Sequence, residues 1–277
     1  MRKTLLLLSL FSLGYAFSFA VIEYWGVDWF STYLPVSNEI LHPYQIQSFI
    51  NPPWAVLMVS WASLLPRVSF SIQTGLLFLF IGWMVIRRSK SVWSLGLVLT
   101  SFPFVYNVYL GNIEWVIAIG FVLENHWGIP FLMIKPQSGI FAGLVWFLKS
   151  DKKIWFIAVG VLTTLLSFLI WGNWLPLLIS NIEYVRAHGM EGWNISAFPY
   201  SLPVGIAMLF FIITTPRDER GRDTGMEFIA VLTSMFLSPY FGLQSLLIPF
   251  TLLCARSPGV GVLLWVLLWV LPFYKIP

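Results

Sequence analysis

Charge is what this sequence has least of. Only 10% of its 277 residues are Asp, Glu, Lys or Arg, where a soluble domain carries about 25%. So few charges cannot cover a water-facing surface, which excludes a soluble globular protein. Cysteine is nearly absent as well. The single Cys254 lies in an apolar segment; it permits no internal disulfide and reads as a buried small hydrophobe. No tandem repeat, low-complexity tail, metal-ligand spacing, phosphate-binding glycine loop or nucleophile elbow occurs, so the residues call for no metal and no cofactor. The net charge of +4 is not a nucleic-acid signal, because the basic residues fall in short clusters between apolar runs.

What fills the chain instead is apolar: 58% hydrophobic residues, with a mean hydropathy of +0.81. The runs are continuous rather than alternating, which points to membrane helices and away from a β-barrel. The expected fold class is all-α, a polytopic helical membrane protein with about 9–11 membrane helices, some short or broken. It forms one integral membrane domain over residues 1–277, with outer loops at 23–67 and 172–194. Arg2 and Lys3 precede an apolar run at 4–22, which resembles a signal peptide. It is longer than a usual signal core, so it reads as an uncleaved first span with the N-terminus cytoplasmic. Residues 53–66 lie between prolines and are too short to cross, which makes them a juxtamembrane or re-entrant helix. Spans are then expected at 68–86, 91–109, 115–123, 127–134, 138–148, 154–171, 195–215, 228–237, 243–255 and 260–273. In this topology Arg2, Lys3, Arg87, Arg88, Lys90, Lys149, Lys152, Lys153, Arg217, Arg220, Arg222 and Arg256 all face inward, as the basic bias of cytoplasmic loops requires. Arg67, Lys135, Arg186 and Lys275 are the exceptions.

The one long polar interval of the first 86 residues runs from 23 to 53. It sets Asp28, Glu39, His42 and Asn51 among Trp25, Trp29, Tyr33 and Tyr44. Asp28 reads either as a general base for an acceptor hydroxyl or as a local helix cap or solvated loop acid. Lys135, in Lys135-Pro136-Gln137, costs about 2.5–3.5 kcal/mol to insert in a membrane. It offers a point charge suited to a phosphate, or it snorkels to the interface. Arg186 and His188 stand in the second outer loop, where they meet an anion or remain solvated. Asn112 and Glu114 precede an expected span and read as caps or as site residues.

Several of these residues fall in an order that resembles a known family. Gly26-Val27-Asp28-Trp29-Phe30 with Tyr33, His42-Pro43-Tyr44, Asn51-Pro52-Pro53-Trp54 and Leu64-Leu65-Pro66 are similar to the first outer loop of the family-C (GT-C) multi-spanning glycosyltransferases. The likeness is to the polyprenol-phosphate-mannose-dependent mannosyltransferases of the phosphatidylinositol-mannoside type. Leu110-Gly111-Asn112, Lys135-Pro136-Gln137, Asn194-Ile195-Ser196 and Ser238-Pro239-Tyr240 follow in the same order, so the resemblance covers roughly residues 20 to 245. It implies an outward-facing site in the plasma membrane that transfers a mannose-like sugar from a polyprenyl-phosphate donor to a lipid or glycan acceptor of the cell envelope. It implies a catalytic Asp28, with Lys135 and Gln137 in the later motif; taken with the chain's other polar residues, donor-phosphate contacts are expected from Lys135, Gln137, Arg186 and His188, and substrate contacts from Tyr33, His42, Tyr44, Asn51, Asn112 and Glu114. The chain departs from the pattern at Asn51, Trp54 and Ile113-Glu114 and is shorter than typical members. Two other classes stay open: a flippase or transporter of lipid-linked sugars, and a non-catalytic assembly subunit. The transporter calls for the aromatics, the broken helix and an intramembrane Lys but not for a base; the assembly subunit accounts for the short length but not for the ordered motifs.

The topology predicts that cysteines placed at 28, 112, 188 and 240 in a Cys254→Ala background are labelled by an impermeant reagent from outside. Cysteines at 90, 152 and 220 are labelled only after permeabilisation. Outside labelling at 90 makes residues 53–66 a span.

Overall fold

The computed structural model describes residues 2–19, 25–89, 91–188, 194–215 and 224–275. Lys90, Arg217, Arg220 and Arg222, used above in the topology, lie outside the described residues. The regular structure of the described residues is all helical apart from one isolated bridge between Asn194 and Gly242. The α-helices are α1 (Arg2–Phe19), α2 (Leu34–Val36), α3 (Ala55–Val59), α4 (Pro66–Arg88), α5 (Val92–Leu99), α6 (Phe102–Leu110), α7 (Glu114–Leu123) and α8 (Ile129–Leu132). They continue as α9 (Pro136–Lys149), α10 (Lys153–Trp171), α11 (Leu175–Ala187), α12 (Leu202–Thr214), α13 (Thr224–Leu237), α14 (Leu247–Arg256) and α15 (Pro258–Lys275).

Two helices, α4 and α10, are long and apolar enough to cross a membrane, and the bent pair α5–α6 makes a third if it is one span. With 23 residues, α4 is about 35 Å long at 1.5 Å per residue, a little more than the hydrocarbon core of about 30 Å. Residues 127–134, expected as a span, instead form a 3-10 turn (His126–Gly128) and the four-residue α8. Pro130 and Pro136 each lack an amide donor, so no continuous helix fits between them. The expected crossing at 91–109 bends by 49° between α5 and α6. Pro103 sits in the first turn after the bend. The carbonyl freed there, Thr100 O, accepts from the indoles of Trp265 at 3.2 Å and Trp269 at 3.1 Å on α15. A break in apolar surroundings persists only when its polar groups are met in this way.

At the centre, α14 packs against α13, α15, α5 and α4, while α4 is flanked by α1 and α7, and α13 by α9 and α12. The α1–α4 contact is made by small residues. A Cβ at Gly75 would meet Ala16 Cβ at 2.9 Å, and one at Gly82 would meet Leu8 at 2.7 Å. Ser12 Oγ also donates to Gly75 O. Close backbone approach through small residues is how helices associate where lipid removes the hydrophobic drive. The outer faces are apolar: Ile154, Leu162 and Leu169 on α10, Phe210 on α12 and Leu263 on α15 are all exposed. Such faces suit lipid tails, not water.

Residues 25–65 form a cap of short helical turns on one end of the bundle. Indoles and backbone fasten it: Trp29 Nε1 donates to Ser69 Oγ at 2.9 Å, Trp54 Nε1 to Pro130 O at 3.0 Å, and Gly26 N to Tyr109 O at 2.7 Å. Asn181 on α11 donates its amide toward Tyr44 O, Ile46 O and Phe49 O at 3.4, 3.0 and 3.1 Å.

Gly111 ends α6 with φ +70°, and a Cβ there would lie 2.6 Å from Trp29 Cβ. Gly111→Ala is expected to lose about 2–5 kcal/mol, from left-handed strain together with overpacking. This is read as a lower melting temperature in detergent, whereas Gly96→Ala, where a Cβ meets nothing within 4 Å, leaves it unchanged or raised.

Candidate functional site

Three chain breaks bring charged side chains together beneath this cap. The first is the start of the π-helical turn Trp29–Tyr33, which carries Asp28. The second is the α6–α7 turn, where the left-handed Gly111 reverses the chain and delivers Asn112 and Glu114. The third is Lys135, the residue before α9, held extended at φ −131°, ψ 80° by the proline that follows it.

Asn112 joins them. Its Oδ1 accepts from Lys135 Nζ and from Ile113 N at 2.8 Å, and its Nδ2 donates to Asp28 Oδ2 at 3.1 Å. Two donors on Oδ1 leave the amide only one orientation, with the NH₂ toward Asp28. Lys135 Nζ also pairs with Glu114 Oε1 at 2.9 Å, and Ser245 Oγ donates to that same oxygen at 3.3 Å. Gln73 Nε2 donates to Asn112 O at 2.6 Å. Lys135, Asn112, Glu114 and Gln73 are buried, whereas Asp28 is only half-buried. Asp28 Oδ1 takes no hydrogen bond from the described residues, so the carboxylate is held by one oxygen and free at the other. Two carboxylates against one ammonium leave the cluster with an excess of one negative charge. Burial raises the Asp28 pKa above the ordinary carboxylate value, while the Lys135 charge and the Asn112 hydrogen bond act in the opposite direction.

None of the three acts as a helix cap. Asp28 makes no side-chain cap bond to its turn, and α7, which begins at Glu114, has no side-chain cap. Glu114 Oε2 and Ser138 Oγ are buried without hydrogen-bond partners among the described residues. Around Asp28 lie phenols. Burial first, then the Asp28 charge, raises the pKa of Tyr33. Burial raises that of Tyr240, with a hydrogen bond from Gln244 opposing and Asp28 adding. Asn51 Nδ2 points at Tyr33 OH at 3.5 Å, and Tyr44 OH donates to Asn51 O at 3.0 Å. Tyr33, Tyr44 and Asn51 are thus a buried wall of the cap.

The other expected site residues stand apart. Gln137 is half-buried in the first turn of α9 without a side-chain hydrogen bond among the described residues, and His42 is exposed. Arg186 and His188 are exposed at the end of α11, where the His188 ring stacks on Tyr184 at 4.1 Å. Gln73 and Ser245 were not among the expected site residues. An amide in the middle of the apolar α4 was the available signal for Gln73, since a polar group inside a span needs a partner.

Comparison with known protein families, with curated proteins and with solved structures returns no match.

Removing one partner of a buried ion pair leaves the other uncompensated, which costs about 3–5 kcal/mol. Lys135→Met is therefore expected to lower the melting temperature strongly, and Lys135→Met/Glu114→Gln to recover most of the loss. A double variant as unstable as the single one removes the pair from the structure's support.

Proposed function

We propose that the protein is an integral membrane glycosyltransferase of the family-C type. It transfers a mannose-like sugar from a polyprenyl-phosphate donor to a lipid or glycan hydroxyl at the outer face. The observation that supports this reading most is Asp28: a carboxylate with one oxygen fixed by Asn112, the other free, and a raised pKa, at the rim of a helical bundle with lipid-suited flanks. A general base works best with a pKa raised toward the operating pH and one lone pair free.

In the proposed step the acceptor hydroxyl oxygen attacks the anomeric carbon as the bond from that carbon to the phosphate oxygen breaks. The hydroxyl proton passes to Asp28 Oδ1, and the polyprenyl phosphate leaves as an anion. Lys135 is already matched by Glu114, so its charge serves Asp28 and Asn112 first. Arg186 and His188, exposed on α11, are the groups left to meet the donor phosphate, with Gln137 beside Lys135. Tyr33, Tyr44 and Asn51 shape the wall facing the sugar. A second reading, a transporter of lipid-linked sugars, draws on the buried Glu114–Lys135 pair, since intramembrane ion pairs also mark transport pathways.

Transfer in liposomes decides between them. Asp28→Asn is expected to reduce turnover by about 10²–10⁴-fold, with donor binding little changed, while Glu39→Gln transfers normally. Full transfer by folded Asp28→Asn protein would falsify the assignment and favour the transporter. The pH profile gives an independent check. The active form is deprotonated, so the rate rises with pH through the Asp28 pKa, above the usual carboxylate range. The Lys135 charge lowers that pKa, so Lys135→Met/Glu114→Gln is expected to move the rising limb to higher pH. A limb that stays in place detaches Asp28 from the titration.

A further inference from the structure

The end of α4 remote from Asp28 holds a second polar cluster, around Arg88. Fifteen residues separate Gln73 from Arg88, about 22 Å along the helix. Arg88 Nε donates to Glu227 Oε2 at 2.9 Å, and its Nη2 reaches Glu124 Oε1 at 2.6 Å and Phe121 O at 2.9 Å. Trp146 Nε1 donates to Glu227 Oε1 at 2.7 Å. Both carboxylates pair with Arg88, whose side chain is 4% exposed; Glu124 Oε2 also lies 4.0 Å from Arg87 Nη2, and Arg87 Nη1 donates to Val122 O. Its Nη1 nevertheless has no hydrogen-bond partner among the described residues.

Arg88 lines a cleft of about 540 Å³ together with Arg87, Lys149, Lys152, Glu124 and Glu227. Four cations against two carboxylates leave an excess of two positive charges. The Lys152 side chain makes no hydrogen bond or ion pair among the described residues, and it stands at the start of α10, which has no side-chain cap. The open first amides of that helix add to the attraction for an anion. The cleft also borders lipid-suited surface: Trp127, Ile154 and Trp155 beside it are 59%, 70% and 53% exposed. Exposed indoles next to cations are the pattern of a membrane–water interface.

We propose that this cleft binds the phosphate of an anionic phospholipid, with the headgroup against Arg87, Arg88 and Lys152 and the acyl chains along the outer face of α10. The chemistry recognised is a phosphate oxyanion. The lipid source follows from the apolar α10 surface that opens beside the cations. The site is separate from the Asp28 cluster and does not depend on the sugar-transfer reading.

Native mass spectrometry of the full chain in a neutral detergent, titrated with phosphatidylglycerol, phosphatidylcholine or glycerol phosphate, tests it. Phosphatidylglycerol is expected to bind at one saturable site, with phosphatidylcholine and glycerol phosphate far weaker. Arg87→Gln/Lys152→Gln is expected to weaken phosphatidylglycerol by about tenfold beyond any loss in Lys153→Gln/Arg256→Gln, which removes two charges outside the cleft. Both variants spare Arg88, whose ion pairs hold the fold. Equal loss in the two variants overturns the site in favour of diffuse charge attraction. Glycerol phosphate binding as tightly as the lipid overturns the lipid assignment, and absence of saturable phosphatidylglycerol binding overturns the proposal altogether.

Discussion

The Lys135–Glu114 pair is the interaction on which the candidate site depends. An ammonium in an apolar bundle costs several kcal/mol to desolvate, and a carboxylate as much again, so neither persists there without the other. Their 2.9 Å contact places Nζ where it also reaches Asn112, and this turns the asparagine amide toward Asp28. The orientation of the one half-exposed acid is thus inherited from a pair that never meets solvent. Side chains held by such contacts are positioned before any ligand arrives.

Two polar clusters, one at each end of α4, frame the bundle. Gln73 and Asn112 join α4 to the α6–α7 turn at one end. Arg88 joins α4 to the C-terminus of α7 and to α13 at the other, through Phe121 O and Glu227. Between them the contact of α4 with α7 is apolar, with Leu77, Ile81, Val116 and Ile117 all buried. Hydrogen bonds fix register where packing alone would let helices slide, and small residues set how closely α1 may approach.

Much of this was legible in the sequence, and the limits have physical causes. The helical class follows from continuous apolar runs and too few charges for a wet surface. Asp28, Asn112, Glu114 and Lys135 stood out because each is a polar side chain at a chain break beside an apolar segment. Their mutual contacts could not be read, since pairing across 21 or more residues leaves no periodic trace. Lys135 read as a free cation for an anionic ligand; the fold gives it an internal carboxylate. Gln73 was hidden inside a run counted as a span, and Glu227 stood one residue before another. The break at Ser101 was invisible because its compensation, two indoles on α15, lies more than 160 residues further on. Spans drawn at 127–134 and 195–215 ran past prolines that stop the helix.

Asn181 has one amide group and three carbonyls within its reach, all in the cap segment that includes Tyr44 and Phe49. A single side chain on α11 thus takes the place of a short strand pairing and binds a loop without regular structure of its own. Tyr44 holds Asn51, and Asn51 approaches Tyr33, so the contact chain from α11 reaches the wall beside Asp28. Arg186 and His188 ride on the same helix a turn or two beyond. Through Asn181, the end of α11 that carries Arg186 and His188 is tied to the same segment that positions Tyr44 and Asn51.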